Sequence, residues 1–294
     1  MKKILVTGAN GQLGSELKTL APGFAGFSFR FTDYDTLDIT DREAVSQFFE
    51  AECPDFVINC AAYTAVDKAE TDRENAFLLN AVAPGILAEA CNRSGAVFIH
   101  ISTDYVFNGK NYKPYCETDE TDPQGVYGLS KRVGEQNSLA DCPRTIIIRT
   151  AWLYSAFGAN FVKTMLRLGA ERNSLQVVYD QVGTPTYACD LAAALLQIVV
   201  QVAENPRQLT PGIFHYSGEG VCSWYDFARA IHEMAGITTC QVFPVESKDY
   251  PTAAARPHFS VLNKTKIRTT YGIAVPYWKE SLKVCIQKIK NIPL

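Results

Sequence analysis

Five short runs constrain this chain more than any other feature: "KILVTG" (3–8), "FSFRFTD" (27–33), "DFVINCAA" (55–62), "AVFIHIST" (96–103) and "RTIIIRT" (144–150). Several are apolar at consecutive positions rather than alternate ones, so the strands they predict are buried on both faces. Longer amphipathic stretches separate them, and strand alternating with helix makes a parallel sheet covered by helices on both sides. The expected class is α/β, a Rossmann-type doubly wound parallel sheet.

Beyond Thr150 the rhythm loosens. "NFVKTMLRLGAERNS" predicts a helix ending near Gly169, "LQVVYDQVGTPTY" a strand and a turn, and "GIFHYSG" a further sheet strand. "SWYDFARAIHEMAG" predicts a helix capped by Ser223 and ended by Gly236. Residues 1–150 are expected to form a dinucleotide-binding domain, with returning strands near 175–179 and 212–217. Residues 151–294 are expected to be mainly a smaller, interleaved C-terminal substrate-binding lobe that includes "ESKDYPTAAARPHFSVLN".

With 294 residues, 47% of them hydrophobic and 20% charged, the chain has material for a substantial core. A net charge of −3 offers no basic stripe to track a phosphate backbone, which argues against nucleic acid as a partner. The apolar run after Met1 is too short and glycine-rich for a signal peptide. "LAAALLQIVVQV" (191–202) falls short of the roughly 20 residues needed to span a bilayer. No membrane association and a cytoplasmic location are expected. Nine cysteines form no C-x-x-C pair and there are only four scattered histidines, so reduced thiols are expected rather than a zinc site or disulfides.

"ILVTGANGQLGSEL" places Gly8, Gly11 and Gly14 between the first strand and the first helix. There the chain must turn tightly, approach a pyrophosphate and let helix pack on strand. The spacing is G-x-x-G-x-x-G, and the helix N-terminus adds free N–H groups and a partial positive charge. Gly8, Asn10, Gly11, Gln12 and Leu13 are therefore candidate cofactor contacts. Asp33, about 20 residues beyond the glycines at the end of the second strand, suits the ribose hydroxyls of NADH or, alternatively, is a solvated strand-end residue; NADPH stays open. Arg30, three residues back, points to the other face. Ala61, Ala62, Tyr63 and Thr64, at the carboxyl edge of the third strand, are expected along the nicotinamide half of the groove.

The fourth strand ends in Ser102, Thr103 and Asp104, and "GVYGLSKRVGEQ" (125–136) then sets Tyr127 four residues ahead of Lys131. On a helix that spacing puts phenol and ammonium on one face, about 6 Å apart along the axis. With the glycine turn, the strand-end hydroxyl and the Tyr–Lys helix in this order, the chain resembles the extended short-chain dehydrogenase/reductase superfamily. The resemblance implies that Thr103, Tyr127 and Lys131 are catalytic and that Tyr127 and Lys131 also contact the cofactor. Lys131 is expected to lower the pKa of Tyr127 by roughly 1 to 3 units from its usual value near 10, so that the phenol protonates a carbonyl oxygen held by Thr103.

"TAVDKAE", "STDYVFNG", "RTAWLY", "NFVKTMLRL", "DQVGTPT" and "YPTAAARPHFSVLN" are similar to the dTDP-4-dehydrorhamnose reductase family. That resemblance implies reduction of the C4 ketone of dTDP-4-dehydro-L-rhamnose by NADPH or NADH, in a sugar site containing Thr103, Asp104, Tyr127, Lys131 and Trp152. Trp152 suits a flat wall for the sugar or, alternatively, a core aromatic. Arg256 suits a diphosphate clamp or a plain exposed loop. Lys68 reads as a solvated helix face. Some members of the family are implied to dimerise through a metal held by glutamates. Here Glu16 stands at the first such place, Cys189 with adjacent Asp190 at the second, and no acid follows Glu280. A thiol is a poor ligand for a hard cation, so no metal, no metal-bridged dimer, and a monomer or weak homodimer are expected. Two alternatives share the fold: a non-catalytic regulatory subunit of methionine adenosyltransferase, and another nucleotide-sugar epimerase or reductase of the superfamily.

Overall fold

The computed structural model describes residues 1–291. All five predicted runs are strands: β1 (Lys2–Thr7), β2 (Phe27–Thr32), β3 (Phe56–Asn59), β4 (Val97–Thr103) and β5 (Thr145–Thr150). With Gly212–His215 they form one six-stranded sheet, ordered Gly212–His215, β5, β4, β3, β1, β2, and every neighbouring pair is parallel. β3 and β5 are buried at every position, as strands covered on both faces must be.

One face packs Ile4, Val6, Ile58, Ile99, Ile146 and Ile148 under α1 (Gln12–Leu20) and the Ala188–Glu204 helix. The other packs Leu5, Val57 and Phe98 under α2 (Arg42–Glu52) and the Ala83–Ser94 helix. Asp41 starts α2 by accepting from the N–H groups of Glu43 and Ala44.

The smaller lobe has its own core, in which Val162, Met165, Phe227, Ile231, Trp278 and Leu282 interlock. These come from the helices Phe161–Glu171, Trp224–Ala235 and Trp278–Asn291. Ser223 and Asp226 form a reciprocal capping box and Gly236, at φ 78°, ends the second of these helices, as its sequence predicts. The first runs two residues past Gly169, to Glu171.

Ser174–Val178, expected to return to the main sheet, instead pairs in parallel with Gln241–Val245 in a separate two-stranded sheet of the lobe. An apolar strand pattern specifies burial but not which sheet receives the strand. Conversely, the Ala188–Glu204 helix and Gly212–His215 lie beyond residue 150 and yet complete the core of the six-stranded sheet. The chain crosses between the two cores repeatedly, so the lobes are interleaved rather than consecutive.

Candidate active site

The sheet order reverses beside β1, which lies between β2 and β3, and ligand crevices of doubly wound sheets form at such a switch. Gly8, at φ +65°, turns the chain there. A Cβ on Gly8 would lie 2.6 Å from the Ala61 nitrogen, and one on Gly14 2.4 Å from the Gly8 oxygen, so both positions require glycine. Gly11 opens α1 without a side-chain cap, leaving its first N–H groups to other acceptors.

A cavity of about 1360 Å³ runs from this turn to the smaller lobe. Gly8, Gly11, Gln12, Leu13, Asp33, Ala61 and Ala62 line one end. The Asp33 carboxylate accepts the N–H of Asn10 at 2.8 Å and of Tyr34 at 2.9 Å, which fixes it at the rim. Asn10 itself is exposed and outside the cavity wall, contributing through that backbone bond. Tyr63 also lies off the wall: its hydroxyl donates to Asp72 and its ring packs beside Ala69, Ala76 and Val126. Arg30 faces outward and pairs with Glu52.

Thr103, Asp104, Tyr127 and Lys131 converge on the middle of the same cavity. Thr103 and Asp104 sit at the carboxyl end of β4, and the Thr103 hydroxyl donates to Asp104 Oδ1 at 3.0 Å. Asp104 is buried; the Ser260 hydroxyl stands near its carboxylate, but Oδ2 makes no hydrogen bond of good geometry among the described residues. Burial pushes this carboxyl up to about 6, against the pull of neighbouring hydrogen bonds.

Tyr127 and Lys131 belong to the Val126–Asp141 helix. The expectation that Lys131 acidifies Tyr127 is corrected by the geometry. Lys131 turns its Nζ toward β4, donating to the Ile101 carbonyl at 2.7 Å and approaching His100 Nε2 at 3.3 Å. Burial raises the Tyr127 phenol above its usual value and the Asp104 charge adds to the rise, with the Thr103 hydroxyl opposing it. Burial also brings Lys131 down to about 8. Common helix face does not imply common direction for a side chain as long as lysine.

Trp152 and Arg256 stand on the wall nearer the lobe. Trp152 has φ +48°, an outlier for a bulky residue that costs of order 1–3 kcal/mol and is found where the surroundings hold it in place. Its ring stacks on Trp224 at 3.6 Å between centroids, and a Cβ on Gly183 would lie 2.6 Å from its Cε2. Arg256 is tied down: its guanidinium donates to Asp67 Oδ2 at 2.6 Å and to the Tyr105 hydroxyl at 3.1 Å. Lys68 is 70% exposed, as a solvated face requires.

A family model described as the RmlD substrate binding domain matches residues 1–291. The chain belongs to this family. It is 42% identical over 288 residues to the spore coat polysaccharide biosynthesis protein SpsK of Bacillus subtilis, covering 98% of both chains. The crystal structure of a dTDP-4-dehydrorhamnose reductase from Clostridium acetobutylicum superposes with a TM-score of 0.93 at 44% identity, covering 98% of this chain and 99% of that one. The dTDP-4-dehydrorhamnose reductase of Bacillus anthracis in complex with NADP superposes at 0.90 with 38% identity, covering 98% of this chain and 100% of that one.

Within this family frame, the groove fits a nicotinamide dinucleotide: Gly8 and Gly11 line it, the first N–H groups of α1 have no side-chain cap, and Gln12 Oε1 stands buried without a partner among the described residues. The implied metal bridge does not fit. Glu16 is fully buried, accepts the Ser155 hydroxyl at 2.7 Å and pairs with the Lys288 ammonium at 2.6 Å, so a side-chain cation already neutralises it. Asp190 accepts from Ser281, and its neighbour Cys189 is a thiol raised to about 11, chiefly by burial.

Asp67, Trp224 and His100 escaped the sequence reading. Asp67 precedes Lys68 in "AVDKAE", and only the fold shows it holding Arg256 and the Ala254 N–H. Trp224, beside the capping Ser223, was legible as a helix start and not as cavity wall.

Asp104 titrates near 6 when folded and near 3.8 when unfolded, so its burial destabilises the fold above pH 6 and this cost fades as pH falls from 6 toward 4. Asp104→Asn should therefore raise the unfolding free energy at pH 7 by up to about 3 kcal/mol, with the gain shrinking between pH 6 and 4, as read by urea denaturation at several pH values.

Proposed function

We propose that this protein reduces the C4 ketone of dTDP-4-dehydro-L-rhamnose to dTDP-L-rhamnose with NADPH or NADH. The observation that carries the reading is the convergence of Thr103 and Tyr127 on one cavity that continues into the glycine turn. The family, and the reductase named among its solved relatives, agree with that chemistry.

The glycine turn, Leu13, Asp33, Ala61 and Ala62 would hold the dinucleotide, which would supply hydride. Lys131 lines the same cavity from the Val126–Asp141 helix and would approach the bound dinucleotide from there. The Thr103 hydroxyl turns from Asp104 to the ketone oxygen, positioning it and stabilising the charge that develops there. Tyr127 then donates its proton to that oxygen. An alkoxide is more basic than a phenolate, so this transfer runs downhill even from a phenol raised by burial. The same burial keeps Tyr127 protonated at neutral pH, which is the form a donor needs. Asp104, with one free oxygen, accepts a sugar hydroxyl. The stacked Trp152 and Trp224 form an apolar wall for the deoxysugar.

Arg256 meets the diphosphate, and to do so it exchanges Asp67 for phosphate oxygens. Thr103, Tyr127 and Lys131 all reach the cavity, which argues against a retired, purely regulatory site. A cytoplasmic monomer or weak homodimer is the matching assembly. Among the described residues no helix is long and apolar enough to cross a membrane, and Lys288 takes the place of a bridging cation.

Tyr127→Phe should slow turnover of the ketosugar by roughly 10² to 10⁴ while leaving dinucleotide affinity within a few fold, measured by loss of nicotinamide absorbance. Wild-type turnover in that variant would remove Tyr127 from the donor role. Adding a chelator or magnesium should change neither activity nor sedimentation; dissociation of a dimer by chelator would show that a metal bridges the subunits.

A further inference from the structure

His100 lies behind the cavity wall, in contact with Lys131, and nothing in the proposed reaction uses it. It lies fully buried in β4, between Asn59 of β3 and Lys131 of the Val126–Asp141 helix. Its Nδ1 is 3.1 Å from Asn59 Nδ2 and its Nε2 is 3.3 Å from Lys131 Nζ. Burial keeps the ring neutral, so only one of its nitrogens carries hydrogen.

Which nitrogen it is follows from the far side of Asn59. The Ala61 backbone N–H can only donate, and it points at Asn59 Oδ1 at 3.1 Å; the Thr7 hydroxyl meets the same oxygen at 2.7 Å. The amide is thereby oriented with its NH₂ toward His100, and Nδ1 must accept. The ring hydrogen is left on Nε2, aimed at Lys131. An ammonium there would set N–H against N–H. A free amine satisfies every group: it donates to the Ile101 carbonyl and accepts from His100.

We propose that His100 is a positioning residue for Lys131, locked by Ala61, Thr7 and Asn59 in the tautomer that presents a hydrogen rather than a lone pair to Nζ, and that this favours the amine form of the lysine. The other groups facing Lys131 pull the opposite way or are committed elsewhere. Glu135, one turn along the helix, favours the ammonium, but its carboxylate is bound by Arg149 and Ser102. Cys60, at the end of β3, has its thiol raised by burial and so stays uncharged at neutral pH. Tyr127, one turn back, is likewise raised and neutral. His100 therefore helps keep the protonation of Lys131 responsive near neutral pH, so that a ligand whose hydroxyls accept from the ammonium binds with uptake of a proton.

The functional consequence rests on the proposed role of Lys131, but the tautomer is read on the purified protein without nucleotide and does not depend on activity. Nitrogen NMR of histidine- and lysine-labelled protein, with the four histidines assigned by replacing them in turn, should show His100 protonated on Nε2 and bare on Nδ1 from about pH 6 to 9. In Asn59→Asp, a carboxylate can accept from Nδ1, so the tautomer should invert and the Lys131 midpoint should rise by about 1 unit or more. Hydrogen on Nδ1 in the wild type overturns the proposal, whether or not the variant folds. So does a folded Asn59→Asp protein that keeps the wild-type tautomer, or one in which the tautomer inverts and Lys131 does not move.

Discussion

The seating of the Val126–Asp141 helix against β4 is the constraint on which the rest of the site depends. Two of its charged residues, Lys131 and Glu135, are buried one turn apart on the face that meets the sheet. Glu135 is held bidentately by Arg149 of β5 at 2.8 and 2.7 Å and accepts the Ser102 hydroxyl of β4. Removing one partner from such a buried pair costs roughly 3–5 kcal/mol, because the other charge is left without compensation. The helix is also pressed close. A Cβ on Gly128 would lie 2.2 Å from the Tyr105 oxygen, and one on Gly134 2.0 Å from the Asn80 oxygen. These glycines cost helix propensity of about 1 kcal/mol each and gain an approach that no other residue allows. Tyr127 is thereby carried to Thr103 by its helix, and its ring is further held edge-on to Tyr105 at 5.4 Å between centroids.

Around this anchored helix the protein keeps groups that are unfavourable for folding. Asp104 is buried with an oxygen unpartnered, Trp152 is held at positive φ, and Lys131 is an amine or ammonium in a site that dislikes charge. The sheet, apolar on both faces, and the separate core of the lobe supply the stability that offsets them. Their concentration in one cavity is itself a sign of function, since a merely structural crevice has no reason to retain them.

Much of this architecture was legible in the residues because the physics behind it is local. Short apolar runs, consecutive in most and alternating in β2, identified strands β1 to β5, and the glycine spacing identified the turn beside β1. Ser223 and Gly236 announced a helix from its ends. What remained hidden was long-range. Ser174–Val178 carries no mark of the sheet it joins, and it joined the lobe. Tyr63 sits among small strand-end residues in the sequence, yet Asp72 draws its hydroxyl away from the groove. Asn10 contributes a backbone N–H in place of a side chain. Lys131 shares a helix face with Tyr127 but reaches across to β4, so the lowering of the Tyr127 pKa expected from a neighbouring cation does not arise. The link between Asp67 and Arg256 spans most of the chain and has no local signature.

The account's central claim is that hydride passes within this cavity to the sugar's C4, with the proton coming from Tyr127. The most direct measurement incubates the protein with dTDP-4-dehydro-L-rhamnose and reduced cofactor deuterated at its transferable position, and locates the label in the product. The account predicts deuterium on C4 of the sugar and one cofactor oxidised for each sugar reduced. A ketosugar returned as an epimer with the cofactor still reduced, or label found at any other carbon, would contradict it.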